Sequence, residues 1–234
     1  MILSGHAPTY LPGIQLFSKI ALSDVFMHCG HLQYQSKSWH SHNFIRTTEL
    51  IVPVHKTLGD QINKVKIADG RWRRKHIRSM EMAYEDKRKF PFFGIYFPRI
   101  RAALERDWEF LGDLNRHLTE MLLDMLGIRT RVVDSARWLI CGDAIEKIIA
   151  MCKAVGATHY LSNRGAEKYI GYPQEEQMKE AGVTHLWQDF TDPVYGQDST
   201  MNGGRLSVVD PLFKFGGATA RPLVEHSGRI HGLG

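Results

Sequence analysis

The period of apolar and polar positions changes several times along the chain, and each change marks an element. Residues 2–6 (ILSGH) form a short apolar run that predicts a strand, and Pro8, Pro12 and Gly13 behind it impose a turn. Helical spacing over 14–21 predicts a helix. Residues 24–29 (DVFMHC), β-branched and aromatic, predict a second strand. Strand, turn, helix and strand in that order open a parallel βαβ unit. Residues 31–46 are polar and aromatic with weak periodicity, which predicts an ordered loop or hairpin. The LIVPV run at 50–54 reads as a strand, and 62–67 alternates as an edge partner.

Helices are predicted over 72–87 and 100–126. In the second, Trp108, Leu111, Leu114, Leu118, Leu122 and Met125 make the buried stripe, and Gly127 is the C-terminal cap. A strand over 129–133 follows. Asp143 with Glu146 then forms a capping box for a helix whose apolar face is Ile145, Ile148, Ile149 and Cys152. Residues 159–162 read as a strand leading into a βα loop at Asn163, Arg164 and Gly165, with a helix over 175–181 and a strand over 184–187 beyond it. The tail after Gly216 is rich in glycine and is expected to be loosely ordered. The pattern predicts a single α/β domain over 1–234. Its central sheet is mostly parallel or mixed, helices flank it, and the middle section, about 72–128, is largely helical.

Composition narrows the setting. Cys29, Cys141 and Cys152 are too scattered for a disulfide framework and suit a reducing compartment. The N-terminus lacks the basic start and long apolar stretch of a secretion signal. The best apolar run, 121–128, is too short for a membrane span and carries Asp124. The expected address is the cytoplasm. Thirty Lys and Arg against 25 Asp and Glu leave a net charge of +5, which suits an anionic ligand. The RWRRKHIR run at 71–78 has Trp72, Ile77 and Met80 at helical spacing, so it reads as the solvated face of an amphipathic helix rather than a nucleic-acid stripe.

Three constellations carry candidate chemistry. The first is His6 with Tyr10, Lys19 and Asp24: loops leaving the carboxyl ends of parallel strands line the ligand crevice, and a neutral imidazole there suits acid–base work. The second is the set His28, Cys29, His31, His40 and His42, with Gln33, Trp39, Asn43 and Arg46 among them. His31 is a second candidate base, and Cys29 is a candidate nucleophile or a small buried hydrophobe. His40 and His42 would share a face if the segment is extended, yet no CxxC or HExxH pairing anchors the cluster, so no metal is assigned. The third is Asn163, Arg164 and Tyr169 after the 159–162 strand, where backbone N–H groups and a guanidinium suit an anion. Gln188, Tyr195, Gln197 and Asp210 carry no assignment by themselves.

The opening HAPTYLPGIQLFSKIALSDVF resembles the N-terminal signature of the WbqC-like protein family, a His-x-Pro-x-Tyr-Leu-Pro start with a downstream Lys and an Asp-Val-Phe strand. The resemblance runs on through Gln33, Trp39, Asn43 and LIVPV, the GATHYLS block, WQDFTDPVYGQ and LSVVDPLFKFGG, and so covers nearly the whole chain. It implies a place in O-antigen or other surface-polysaccharide or natural-product biosynthesis, and transfer of a glycyl or related acyl group. Against the family pattern, Gly30 and His31 stand where paired aspartates are expected, and His42 stands where Arg is expected. The lost charges imply a changed substrate or chemistry.

The leading expectation is therefore an acyl or aminoacyl transferase acting on an amino or hydroxyl acceptor without a cofactor. His6 or His31 would be the base, and Asn43 with backbone amides would hold the oxyanion. The expected partners are a small-molecule acceptor and an activated acyl donor, such as an acyl carrier protein. No nucleic acid is expected, and a homodimer is left open. The alternatives are a nucleotide-dependent transferase, by fold-level analogy alone, a non-catalytic scaffold of a biosynthetic complex, and a metalloenzyme.

Overall fold

The computed structural model describes residues 1–55, 59–195 and 206–232. Gln197 lies outside them. A six-stranded sheet runs through the centre in the order β5-β2-β1-β6-β7-β8, with β1 at Ile2–His6, β2 at Val25–His28, β5 at Arg131–Asp134, β6 at His159–Asn163, β7 at Thr184–Phe190 and β8 at Gly228–His231. Every neighbouring pair is parallel except β7 with β8, so the fold is α/β with a mixed sheet.

The chain first winds to one side of β1, through β2 and β5, and then returns to its other side at β6. That reversal puts a topological switch point between the carboxyl ends of β1 and β6, where such sheets form a ligand crevice. His6 ends β1 and Asn163 ends β6.

Both faces of the sheet are covered. Leu3, Met27, Cys29 and Val133 pack toward α5 (Ala144–Val155) and α6 (Tyr172–Glu180). The opposite face carries Phe26 and packs α1 (Ile14–Ala21), α4 (Leu111–Leu126) and α8 (Gly217–His226), with α2 (Trp72–Ala83), α3 (Phe93–Glu105) and α7 (Val209–Phe215) completing the same core. The alternation of neighbouring β2 residues between two buried faces explains why that strand is apolar throughout.

Local signals fixed several boundaries. α1 spans the predicted residues, Asp143 and Glu146 form the capping box, and Gly127 caps α4 in the left-handed conformation at φ 72°. Other expectations are corrected. The helix predicted over 100–126 is two helices, because Arg106 is extended at ψ 150° and Phe110 enters α4 extended at ψ 139°. Its apolar period crosses the break unchanged, which hid it. Residues 62–67 form a 3₁₀ turn and isolated bridges instead of an edge strand. Within 31–46 only the last four residues before Arg46 are strand, β3 (His42–Ile45), and it pairs with β4 (Thr48–Ile51), which replaces the strand read over 50–54 and stops before Pro53.

Through residue 231 the tail beyond Gly216 is not loose but forms a helix and a strand. α8 buries Ala220 and Val224, and β8 closes the sheet against β7. Gly228 serves close approach rather than mobility: a Cβ there would collide with the Ser18 hydroxyl.

Candidate active site

The turn joining β1 to α1, residues 7–13, holds a conformation its own sequence disfavours. Leu11 is left-handed at φ 41° and fully buried. Surrounding segments supply the polar groups that hold it there. Asn43, on β3, donates its amide hydrogens to the Tyr10 carbonyl (3.0 Å) and to the Leu11 carbonyl. The Tyr10 N–H donates to Trp39 O at 2.9 Å, and Asn115 on α4 donates to Pro8 O (3.2 Å) and His40 O (2.7 Å). The turn and the 39–43 segment are therefore clamped together against α4.

Two cavities open at the carboxyl edge of the sheet. One, of about 570 Å³, is lined by His6, Lys19, Trp39, Asn43, Asn163 and Asp192 among others. The second, of about 690 Å³, has His6, Lys19, Cys29, His31, His40 and Tyr169 on its wall. His6, Lys19 and Asn163 belong to both, so the two meet at the switch point.

The two histidines best placed for chemistry hold opposite tautomers. His6 Nδ1 lies 2.7 Å from the Ala7 carbonyl oxygen. A carbonyl only accepts, so Nδ1 carries the ring proton and Nε2 keeps its lone pair. His40 Nδ1 instead accepts the backbone N–H of Gln35 at 3.1 Å, which leaves Nε2 as the protonated, donating nitrogen of the neutral ring. Enclosure by protein, ahead of the nearby Lys19 charge, lowers the His6 pKa to about 3, and burial lowers that of His40 to about 4. Both rings are neutral at pH 7.

Lys19 is buried at 3% exposure, and its ammonium donates to Gly5 O at 3.0 Å. Burial lowers its pKa to about 8, so it is cationic at neutral pH. Burial pushes the Cys29 thiol up to about 12, and the thiol donates to Met27 O at 3.5 Å. It is protonated at neutral pH. Gly5 keeps this floor open: a Cβ there would lie 2.9 Å from Cys29 Sγ and 3.2 Å from the Tyr160 hydroxyl.

The structure brings together His6, Lys19, Cys29, His31, Gln33, Trp39, Asn43, Asn163 and Tyr169 around the paired cavities. It does not bring the rest. Tyr10 was expected to bind substrate, yet it is fully buried, with its hydroxyl 2.8 Å from His76 Nδ1 in the helical layer. Asp24 accepts the Ile2 N–H at 2.7 Å, at the opposite end of the sheet from His6. His42 pairs in β3, away from His40, because the segment turns before the strand begins. Arg46 lies over Phe90 and 3.9 Å from Asp210. Arg164 pairs with Asp189 at 2.6 Å and with Glu167 at 3.0 Å, and the segment after Asn163 is a short 3₁₀ turn rather than a helix start. Asn43 is also corrected as an oxyanion donor, since both amide hydrogens serve backbone carbonyls.

Sequence reasoning named His40 in the histidine cluster but gave it no role, and missed Asn115 altogether. Asn115 is a buried polar side chain inside the apolar stripe of α4, and that interruption was its only signal. Among the described residues, no group of three or more His, Cys, Asp or Glu side chains converges on a metal position. No helix among them is long and apolar enough to cross a membrane.

Fold and site together define an α/β protein with a histidine- and lysine-lined cleft at its switch point. The chain belongs to the WbqC-like protein family, whose profile matches residues 7–221. It is similar to the uncharacterized protein Rv1507c of Mycobacterium tuberculosis, 28% identical over 216 residues that cover 88% of this chain and 90% of the relative. No solved structure matches it.

Proposed function

We propose that this protein transfers an activated acyl or aminoacyl group, of glycyl type, to an amino or hydroxyl acceptor in polysaccharide or natural-product biosynthesis. The observation that carries the reading is the complementary pair of neutral imidazoles on one cavity wall, His6 with a free Nε2 lone pair and His40 with an Nε2–H. Acyl transfer needs both: a base for the acceptor proton and a donor for the carbonyl oxygen as it gains charge.

In this reading the acceptor nucleophile attacks the carbonyl carbon while His6 Nε2 takes its proton. His40 Nε2–H donates to the developing oxyanion, the role first expected of Asn43. The protonated, buried Cys29 leaves direct transfer as the route, with no thioester on the enzyme. An acyl carrier protein or another activated donor supplies the acyl group. The reaction is assigned to the cytoplasm, in keeping with three unpaired cysteines.

The test presents glycyl- and acetyl-loaded donors with amino-sugar acceptors and reads products by mass spectrometry. His6→Ala is expected to lower turnover by about 10²- to 10⁴-fold, the range of a general base. His40→Ala is expected to lower it by about 10²- to 10³-fold, the range of an oxyanion donor. Turnover of both variants within about threefold of wild type would overturn the reading. Nucleotide-dependent transfer is a second reading, favoured by the strand order that puts the cleft at a switch point. Thermal stabilisation by ATP or CTP would support it.

A further inference from the structure

We infer that Lys19 forms an anion subsite in the wall shared by the two cavities, and that the donor is an acyl group activated by phosphate, as an acyl phosphate or acyl adenylate. The donor assignment rests on the acyl-transfer reading; the anion subsite does not.

Lys19 is 3% exposed, and no carboxylate of the described residues forms a salt bridge with its ammonium. Among the described residues it makes one hydrogen bond, to the Gly5 carbonyl, which leaves two of its three N–H donors for another partner. A buried cation without a counterion is costly, so a fold that retains one has a use for it. Lys19 lines both cavities beside His6 and Asn163, so an anion brought by a ligand can reach it where the two meet.

The chemistry of transfer selects the kind of anion. A thioester carries no charge at its reacting end until the thiolate departs, so before reaction it gives a cation there nothing to hold. A mixed anhydride of a carboxylic acid and a phosphate already carries charge on its phosphate oxygens, joined to the carbonyl carbon through the bridging oxygen, and gathers more on that bridging oxygen as it reacts. The acceptor nitrogen bonds to the carbonyl carbon, the carbon–oxygen bond to phosphate breaks with its electron pair on the phosphate oxygen, and the nitrogen's proton passes to His6 Nε2. Lys19 then faces the charge that grows on the departing phosphate. The same contact strengthens the base. The Lys19 charge is second only to burial in holding down the basicity of His6, and a phosphate beside the ammonium offsets it.

The experiment titrates the full chain at pH 7 and fixed ionic strength with inorganic phosphate and with AMP, and uses acetate as the carboxylate arm. Wild type is compared with Lys19→Met by calorimetry. Saturable one-site binding of phosphate or AMP, weakened about tenfold or more in the Met variant, supports the subsite. The variant replaces an unpaired buried cation with an apolar chain of similar length but also removes the donor to Gly5 O, so its folding is checked by thermal melting before titration. Should it fail to fold, wild type alone decides, because phosphate bound at Lys19 must shift the ring resonances of His6. Absent binding, equal affinity in the folded Met variant, or unmoved His6 resonances would overturn the subsite, and acetate bound at least as tightly as phosphate would overturn its phosphate assignment. Because affinity is read without turnover, a failed anion site and a failed transfer assay are told apart.

Discussion

Lys19 Nζ reaches back to the carbonyl oxygen of Gly5, at 3.0 Å, and so fastens the middle of α1 to the end of β1 one residue before His6. The strand end, the turn and the helix thus act as one piece. Any change in the 7–13 turn is felt at the cation and at the imidazole together.

The buried histidines predict the acid response. His28 and His76 are 1% and 2% exposed, and burial lowers both to about 4 from an ordinary 6.5. Between those values the unfolded chain binds protons that the folded chain refuses. Their contribution to stability is whole above about pH 6.5 and is lost as pH falls toward 4, at about 1.4 kcal/mol per pH unit for each fully engaged histidine. Urea midpoints at pH 7.5, 5.5 and 4.5 should fall steeply in that order. A flat profile over that range would mean that these rings are not held neutral.

Removing the amide that clamps the turn should cost stability first. Asn43→Ala leaves two buried carbonyls without their donors, and each such loss costs about 1–3 kcal/mol. A drop of about 2–6 kcal/mol in unfolding free energy is expected, measured by urea denaturation. A change under about 0.5 kcal/mol, the size of an ordinary surface substitution, would remove Asn43 from its place as the clamp of Leu11.

Thiol reactivity separates direct transfer from a covalent relay. Cys141 is exposed, whereas Cys29 and Cys152 are buried with their thiols pushed up to about 12. Iodoacetamide at neutral pH should label Cys141 first, with the other two protected until the chain unfolds. Labelling of native Cys29 as fast as Cys141, read by peptide mapping, would restore Cys29 as a candidate nucleophile.

The contrast between what was and was not legible follows interaction range. α1, the Asp143 capping box and the Gly127 cap depend on residues a few positions apart, and their patterns named them. Tyr10 finds His76 across 66 positions and Asn43 finds Leu11 across 32; neither pairing leaves a trace in local periodicity. Two prolines beside His6 rightly marked a rigid turn. They carried no sign that Tyr10 points into the core while His6 points into the cleft. His40 went unassigned for the same reason: its tautomer is set by the N–H of Gln35, and no spacing rule reports that hydrogen bond.

The shared wall of the two cavities has a kinetic meaning. Two chambers that share His6, Lys19 and Asn163 among the described residues let a donor and an acceptor be resident at once. Under the acyl-transfer reading the enzyme would then pass through a ternary complex and release nothing until both substrates are aboard.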